Sequence, residues 1–254
     1  MSQIKIYDPC SEEKSTGPGA RSLNAAGIVV CRLDSTRLPG KVLKTVQGAP
    51  LLKWVIDRVH EVQEFNRGVI VATSDRTIDD PISEFCKAHK IKVFRGSAND
   101  VSGRILNCAV ENDLDWFARI NADSPFVDAD LLERACRIAA SDRFDFITNL
   151  SPRSYPYGVS VEMIRTTTFQ EAYQQMCSSD HFEHVTQIFY ESTLGLEFRK
   201  YNILNMAENQ SQIRLTVDTP EDWQLFCRLA EISNNDNLSF QQATQIIQSP
   251  REAV

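Results

Sequence analysis

The stretch GIVVCRLDSTRLPGK, residues 27–41, joins a short apolar run to a polar loop. Residues 27–31 are apolar and β-branched, which favours a buried strand. The ten residues that follow contain two arginines, one lysine and one aspartate, an excess of two positive charges. Because ligands of open α/β sheets bind beyond the carboxyl ends of strands, we expect a site at this loop.

The rest of the chain repeats the alternation of short apolar runs with stretches of helical length. The predicted strands are residues 27–31, 68–73, 92–94, 116–120 and 144–148. The first predicted helix has Pro50 at its first position and Leu51, Leu52, Val55, Val59 and Val62 along one face. Further helices are predicted near residues 81–89, 101–112, 129–141 and 220–232. This order predicts an α/β fold with a mostly parallel central sheet and helices on both faces.

Three segments fall outside the regular alternation. Residues 1–25 have no apolar core, so we expect a flexible N-terminal tail followed by a single domain over residues 26–254. The alternation loosens over residues 151–205, where a turn at residues 155–158 leads into alternating residues 159–163, and we expect a small inserted β-containing segment. Residues 213–217 are interpreted as a return strand.

Composition excludes several classes of protein. Hydrophobic residues make up 42% and charged residues 24% of the 254 positions, which is typical of a folded globular chain. The net charge of -7 argues against a nucleic-acid partner or an anionic membrane surface. No apolar run approaches the ~20 residues of a membrane span. We therefore expect a cytoplasmic protein without membrane insertion.

Taken alone, the loop after the first strand has two interpretations. Arg32 and Arg37 offer forked donors to phosphate oxygens, and Ser35 and Lys41 add a hydroxyl and a compact charge. A solvated turn is the alternative, because exposed arginine and lysine are common and no Gly-x-x-x-x-Gly-Lys phosphate loop is present. The residue order decides between them.

Residues 35–43, STRLPGKVL, resemble the nucleotide signature of the CMP-sugar synthetase group of cytidylyltransferases. Within that group the sequence is most similar to the spore coat polysaccharide biosynthesis protein F branch. The similarity continues, in the order of the family's motifs, through residues 70–82, 94–104, 119–125, 183–186 and 215–222. It extends over roughly residues 27–230, and several ordered matches are hard to obtain by chance.

The resemblance implies a Rossmann-like nucleotide-diphospho-sugar transferase fold and a transferase activity. Members join CMP from CTP to an acceptor, often a 2-keto-3-deoxy sugar acid, and release pyrophosphate. Carried over by position, the triphosphate would be held by Arg32, Ser35, Arg37 and Lys41, of which Arg32 and Lys41 would also stabilise the developing charge. The loop that contains Ser97, Asp100 and Arg104 would meet the nucleoside.

Attack on the α-phosphate of an anionic triphosphate calls for cations, and magnesium needs only one or two protein carboxylates beside phosphate oxygens. Asp123 and Asp218 each follow a predicted strand, and the resemblance implies that both are metal ligands and catalytic residues. The alternative is that they are helix caps. Because Thr219 is the expected cap before Pro220, capping does not account for Asp218.

The acceptor side is expected around Tyr155, Tyr157, Gly158 and Glu162, a segment that resembles the family's Tyr-Pro-x-Gly-x-Asp-Val-Glu. Half-buried strand aromatics are an equally good interpretation of the pattern. His184 is a further acceptor-site candidate through the Glu-His-Val-Thr resemblance. Relatives commonly dimerise through their inserted segment, so the resemblance also implies a homodimer.

Two positions depart from the family pattern. Ser160 stands where an aspartate is common, and Asp34 places a carboxylate inside the phosphate loop. These departures keep two alternatives open besides a magnesium-dependent cytidylyltransferase with a small anionic acceptor. One is a glycosyltransferase that consumes a nucleotide-sugar, and the other is a nucleotide-binding protein with weakened catalysis.

Overall fold

The structure is a computed structural model that describes residues 23–191, 197–232 and 238–249. Nearly all of the tail predicted over residues 1–25 lies outside the described residues, so that prediction stays a prediction. Within the described residues, no helix combines the length and the apolar character that a membrane span requires.

The strands and helices alternate along the chain much as the sequence pattern predicts. The strands are β1 (Ala25–Val30), β2 (Thr45–Val46), β3 (Ala49–Pro50), β4 (Val69–Ser74), β5 (Lys92–Gly96), β6 (Trp116–Asn121), β7 (Phe146–Thr148), β8 (Glu162–Arg165) and β9 (Lys200–Asn202). The helices are α1 (Leu51–His60), α2 (Asp80–Ala88), α3 (Val101–Glu111), α4 (Ala129–Ala140), α5 (Thr166–Gln174), α6 (Ser179–Glu183), α7 (Pro220–Ile232) and α8 (Phe240–Gln248).

Seven of the strands form one central sheet in the order β5-β4-β1-β6-β8-β7-β9, and β2 and β3 form a separate two-stranded sheet. The pairs β1 with β4, β1 with β6, β4 with β5 and β7 with β9 are parallel. In the described sheet β8 alone runs antiparallel to its neighbours. The predicted α/β fold with a mostly parallel sheet is therefore confirmed.

Helices cover both faces of the sheet, as predicted. Successive residues of β1 alternate between two apolar clusters, so that Val29 packs on one face and Ile28 on the other. The first cluster contains buried residues of α1, α2, α4, α7 and α8. The second contains buried residues of α3 and α5 and of the segment after α6. A strand that is buried on both faces is expected to be apolar throughout, as β1 is.

The strand order places a topological switch point between β1 and β6. The chain runs from β1 to β4 and β5 on one side, and then returns to β6 on the other side of β1. Loops that leave the carboxyl ends of two such strands diverge and open a crevice, which is the usual ligand site of an open α/β sheet. The loop after β1 and Asp123 after β6 both lie at this crevice.

The segment 151–205 is less separate than the sequence pattern indicated, because β8 and β9 both join the central sheet. The return strand predicted over residues 213–217 was wrong. Arg214 makes an isolated bridge to Tyr157, and Leu215 donates from its backbone to Tyr157 at 2.7 Å. Residues 213–217 bond to Tyr157 and to Asp123, neither of which lies in a strand, so no β-ladder forms along this segment. Pro50 precedes α1 at the N-cap position instead of the predicted first helical position.

Candidate active site

Lys41 reaches the cleft because the loop after β1 turns sharply at Gly40. Gly40 adopts a left-handed backbone conformation with φ of 68°, which glycine tolerates without steric cost, and starts a single 3-10 turn over Lys41–Leu43. Its backbone NH donates to the carbonyl of Leu33 at 2.9 Å and closes the loop. The Lys41 side chain is consequently buried, with 8% of the residue exposed.

The Lys41 ammonium lies between two carboxylates. Its Nζ donates to Asp123 Oδ2 and to Asp218 Oδ1, each at 2.7 Å. Backbone pairing brings the two acids together, since Val217 donates from its NH to the carbonyl of Asp123 at 2.8 Å. Lys41, Asp123 and Asp218 thus meet at one point, from three separate parts of the chain.

Helix capping does not account for Asp218. Thr219 Oγ1 accepts from the backbone NH of Asp222 at 3.2 Å, and the Asp222 carboxylate accepts from the backbone NH of Thr219 at 3.0 Å. This reciprocal arrangement caps α7 at Thr219, with Pro220 as its first residue, as the sequence predicted. Asp128, by contrast, is a plain cap of α4 and accepts from Leu131 NH at 2.9 Å.

Asp218 is surrounded by positive charge. Besides Lys41, Arg37 lies 3.5 Å from its Oδ2, and Arg214 donates to the same oxygen. Desolvation alone would raise the pKa of this carboxyl. The hydrogen bond from Lys41 and the charges of Lys41, Arg37 and Arg214 outweigh desolvation and lower the pKa of Asp218. The carboxylate is therefore ionised near neutral pH and available as a cation ligand.

Asp34 does not face the cleft but pairs with two arginines. Its carboxylate lies 3.2 Å from Arg32 Nε and 2.7 Å from Arg76 NH2. Arg76 in turn contacts the buried Asp79 at 3.3 Å, whose other oxygen accepts from the backbone NH of Leu33 at 2.7 Å. This network ties the start of the phosphate-loop candidate to the segment after β4. The carboxylate that departs from the family pattern thus has a structural role.

The crevice at the switch point is a cleft of about 370 Å³. Eight of the side chains predicted as site residues line it: Arg32, Ser35, Arg37, Lys41, Arg104, Asp123, His184 and Asp218. Its lining contains five basic and three acidic side chains, and so it is positively charged in a chain whose net charge is -7. A cleft of this charge favours an anionic ligand.

The loop predicted to meet the nucleoside borders an adjoining cavity of about 580 Å³, which shares Arg32, Val101 and Glu183 with the cleft. Asp100 lines this cavity, but its oxygens are already engaged by Gly103 NH at 2.7 Å and by Tyr173 OH at 2.6 Å. The bond to Asp100 and burial raise the pKa of Tyr173 to about 12, so the phenol stays protonated.

Ser97 and Arg104 have structural contacts within the same loop. Ser97 Oγ accepts from Asp100 NH at 3.1 Å, and its carbonyl accepts from Arg104 NH1 at 2.9 Å. Arg104 is only 2% exposed and its Nε has no hydrogen-bond partner in the described residues. Desolvation lowers the pKa of this guanidinium. An anion in the cleft would supply the missing countercharge.

The structure separates the residues predicted for the acceptor side. Tyr155 is buried, packs on Phe240 at 6.0 Å between ring centres, and is a core residue of the fold. Tyr157 is 50% exposed and lies under Arg153, whose guanidinium is 4.1 Å from the ring centre. His184 lines the cleft, but Tyr155, Tyr157, Gly158 and Glu162 do not.

Gly158 and Glu162 are both enclosed by the fold. Gly158 has φ of +99°, and a Cβ there would come within 2.9 Å of the Leu215 backbone, so only glycine allows this close approach. Glu162 is 1% exposed at the start of β8. Neither observation tests a role in acceptor binding, and those roles stay predictions.

Sequence reasoning left two charged cleft residues and one neighbour of Asp218 unassigned. Arg119 and Glu183 line the cleft, and Arg214 contacts Asp218. Glu183 Oε1 accepts from Arg32 at 3.1 Å and links the phosphate-loop candidate to α6. The available signals were weak: Arg119 and Glu183 open two of the family motifs, and Arg214 precedes Asp218 by four positions on an extended segment.

The strand order, the switch-point cleft and its basic loop define a nucleotidyltransferase-like α/β fold. A solved cytidylyltransferase from Leptospira borgpetersenii superposes with a TM-score of 0.82 at 26% identity, over 89% of this chain and 94% of that one. Residues 26–248 match the family model described as cytidylyltransferase. The chain therefore belongs to the cytidylyltransferase family, and it is a nucleotidyltransferase.

A sequence relative and a further solved structure extend the comparison. The spore coat polysaccharide biosynthesis protein SpsF of Bacillus subtilis is 28% identical over 201 residues, which span 78% of this chain and 82% of SpsF. A structure of CMP:2-keto-3-deoxy-manno-octonic acid synthetase complexed with CTP superposes with a TM-score of 0.62 at 17% identity, over 83% of this chain and 99% of that one. The latter similarity concerns the fold.

Proposed function

We propose that this protein transfers CMP from CTP to a small anionic acceptor, a sugar acid or a related compound, and releases pyrophosphate. The observation that carries the proposal is the basic cleft with Lys41 between Asp123 and Asp218, each 2.7 Å from its ammonium. The similarity to SpsF supports a place in the supply of activated precursors for cell-surface polysaccharide. The CTP complex of a protein with this fold supports the choice of nucleotide.

In the proposed reaction an acceptor oxygen attacks the α-phosphorus in line. The new phosphorus–oxygen bond forms as the bond from the α-phosphorus to the β-phosphate oxygen breaks, the acceptor hydroxyl loses its proton to solvent, and pyrophosphate leaves. Arg32, Arg37 and Lys41 neutralise the phosphates and stabilise the charge that develops. Electrostatic positioning of this kind requires little covalent chemistry from the protein.

The donor set at the cleft fits magnesium. Asp123 and Asp218 offer carboxylate oxygens that already converge on one cation, the Lys41 ammonium. The described residues contain no cluster of three or more histidine, cysteine or acidic side chains arranged for a metal. Magnesium does not need one, because it retains water and takes phosphate oxygens. When bound, the ion would neutralise the phosphates and align the attack. Asp123 and Asp218 would hold it.

The charge near Asp218 supports an anionic acceptor. Two guanidiniums lie near the Tyr157 ring, that of Arg153 at 4.1 Å and that of Arg214 at 5.7 Å from the ring centre. A half-exposed aromatic side chain beside two cations suits a ligand that is both sugar-like and negatively charged. This surface continues towards the cleft through the contact of Arg214 with Asp218.

A pyrophosphate-release screen tests the proposal. The protein is incubated with CTP, magnesium and a panel of sugar acids, phosphorylated sugars and phosphonates, and pyrophosphate is measured by a coupled assay. We expect acceptor-dependent release with at least one sugar acid and none with a nucleotide-sugar donor. Release of free nucleoside phosphate from a nucleotide-sugar would indicate a glycosyltransferase instead. Binding of CTP without pyrophosphate from any acceptor would indicate a nucleotide-binding protein.

A further inference from the structure

Glu162 is a buried charge whose hydrogen-bonding capacity is used inside the protein. Its Oε2 accepts from Arg119 NH1 at 2.8 Å, and its Oε1 accepts from Tyr190 OH at 2.9 Å. With 1% of the residue exposed, the carboxylate has no surface left for a ligand. Any contribution of Glu162 to binding must therefore act through Arg119 or Tyr190.

The hydrogen bonds around Glu162 are donated towards its carboxylate. Thr148 Oγ1 accepts from the backbone NH of Leu150 at 3.1 Å and bonds to Tyr190 OH at 2.8 Å. Since the single hydroxyl proton of Tyr190 is donated to the carboxylate, Thr148 must donate its own proton to Tyr190. Such a chain fixes the position of the Glu162 carboxylate, which in turn holds the Arg119 guanidinium in one orientation.

Arg119 connects this buried network to the cleft. It follows Phe117 on the face of β6 that carries Asn121, and both Arg119 and Asn121 line the cleft. Its NH1 is engaged by Glu162, whereas its Nε is buried and has no hydrogen-bond partner in the described residues, although 20% of the side chain is exposed. The Nε–NH2 edge of a guanidinium is a fork of two parallel donors that matches an oxyanion. Arg119 is thus anchored on one side and incompletely bonded on the other.

The strand order indicates which ligand Arg119 meets. The phosphate-loop candidate leaves β1, and the loop with Ser97 and Asp100 follows β5, two strands to one side. Arg119 lies on β6, on the opposite side of β1, and its partner Glu162 is on β8, one strand further. A nucleotide that extends from the β5 side to the β1 loop leaves the β6 and β8 side to the acceptor.

We propose that Arg119, held in place by Glu162 and Tyr190, binds an oxyanion of the acceptor, a carboxylate or a phosphate. Arg119 is the binding residue, and Glu162 is a positioning residue that acts through it. The assignment rests on the proposed transfer of CMP to an anionic acceptor, and it deepens that proposal by naming the residue that recognises the anion. The other source of an oxyanion is the triphosphate of CTP, which the experiment distinguishes.

Inorganic phosphate is the probe, so that the acceptor need not be known. Protein saturated with CTP and magnesium, with no sugar acceptor present, is titrated with phosphate at constant ionic strength, and the melting temperature is followed. In the wild type we expect a saturable rise, and in Arg119→Gln an apparent phosphate affinity that is lower by about tenfold, as expected for loss of a charge-assisted hydrogen bond. Arg137→Gln is the control, since Arg137 is an exposed residue of α4 paired with Glu64 and Glu133.

The absence of a phosphate effect in the wild type, or an equal effect in Arg119→Gln, would overturn the assignment. Calorimetric titration of CTP into the same variants provides the second arm. We expect the CTP affinity of Arg119→Gln to stay within about twofold of wild type. A loss of CTP affinity of tenfold or more would place Arg119 at the nucleotide and also overturn the assignment. Neither arm requires turnover, so their outcome is separate from that of the pyrophosphate screen.

The positioning role of Glu162 requires variants that keep the fold. Glu162→Gln retains the shape, and Tyr190→Phe removes one hydrogen bond, while Arg119→Lys retains the charge if the glutamine variant fails to fold. Where the screen supplies an acceptor, we expect each to raise its KM several-fold with a smaller change in kcat and no change in the KM for CTP. An equal rise in the KM for the acceptor and in the KM for CTP would mean that Glu162 has a merely structural role.

Discussion

The Lys41 ammonium and the Asp218 carboxylate lie 177 residues apart in the chain and are joined by a hydrogen bond of 2.7 Å. Asp123 shares the same ammonium at 2.7 Å. The Lys41 ammonium therefore occupies the position at which the two carboxylates converge. A nucleotide triphosphate would draw Lys41 towards its phosphates and release both carboxylates for a divalent cation. Nucleotide and cation are expected to bind together.

Replacement of Asp123 or Asp218 by asparagine is expected to abolish magnesium-dependent turnover of CTP without loss of folding. Each change keeps the shape of the side chain and removes the charge that a divalent cation requires, so we expect a loss of about a hundredfold or more in kcat. The measurement is pyrophosphate release, with circular dichroism to verify folding. Asp128→Asn is the matched control, because Asp128 caps α4 and asparagine also caps helices, so we expect α4 to form normally in that variant. Near-normal turnover in either site variant would remove that residue from the catalytic set.

Replacement of Lys41 by methionine is expected to strengthen binding of a divalent cation in the absence of nucleotide. The two carboxylates would lose their internal countercharge and would attract an external one. Mn²⁺ binding, followed by electron paramagnetic resonance without CTP, measures this directly. Lys44→Met is the control, because Lys44 lies 5.4 Å from the Trp223 ring centre and does not contact either aspartate. If Lys41→Met binds Mn²⁺ no better than wild type, the ammonium does not compete with cations.

Replacement of Asp34 by glycine is expected to weaken CTP binding by about threefold to tenfold. The Asp34 carboxylate lies 3.2 Å from Arg32 and 2.7 Å from Arg76 and holds both side chains in place. Its removal would release both arginines. Calorimetric titration of CTP measures the change. Asp34→Asn keeps one acceptor oxygen but no charge, and so it separates positioning of the arginines from repulsion of phosphate. We expect its CTP affinity to be closer to that of the wild type. A large gain of affinity in Asp34→Gly would mean that the carboxylate repels phosphate.

Asp145 provides a pH-dependent contribution to stability that is independent of the active site. Hydrogen bonds from Arg199 lower the pKa of Asp145 to about 2, against an ordinary value of 3.8. A carboxyl whose pKa is lowered by folding stabilises the fold above its ordinary pKa, and this contribution is lost as the pH falls towards 2. We expect Asp145→Asn to lower the free energy of unfolding by about 1 kcal/mol at pH 7, since Arg199 is largely exposed to solvent.

The measurement for Asp145 is urea unfolding of wild type and Asp145→Asn between pH 7 and pH 2.5. The difference in unfolding free energy should be constant down to about pH 5 and narrow below it. Asp57→Asn is the control, because Asp57 forms an exposed pair with Lys53 on α1. A difference that does not depend on pH would assign the effect to packing instead of charge.

The homodimer implied by the family resemblance stays a prediction. The segment 151–205 contains β9, which ends the order of the central sheet. We expect light scattering at micromolar concentration to give twice the mass of the chain. A monomeric mass would contradict the prediction.

Much of the fold could be predicted from local pattern. The five strands predicted up to residue 148 and the five helices are present with small shifts of their ends, because buried strands and amphipathic helices have characteristic periods in the sequence. The Thr219 cap and the place of Pro220 were also correct, since both depend on the backbone groups of a single helix turn. The return strand over residues 213–217 was wrong because strand formation requires a partner, which the segment itself cannot specify.

The sequence by itself determined the class of the fold, the basic loop after the first strand and six of the eight charged residues that line the cleft. Only the tertiary structure decided that Lys41 lies between Asp123 and Asp218, that Asp34 pairs with Arg32 and Arg76, and that Glu162 is buried behind Arg119. The physical reason is that periodicity and capping act over a few residues of one element. Ion pairing and burial instead depend on which strands become neighbours.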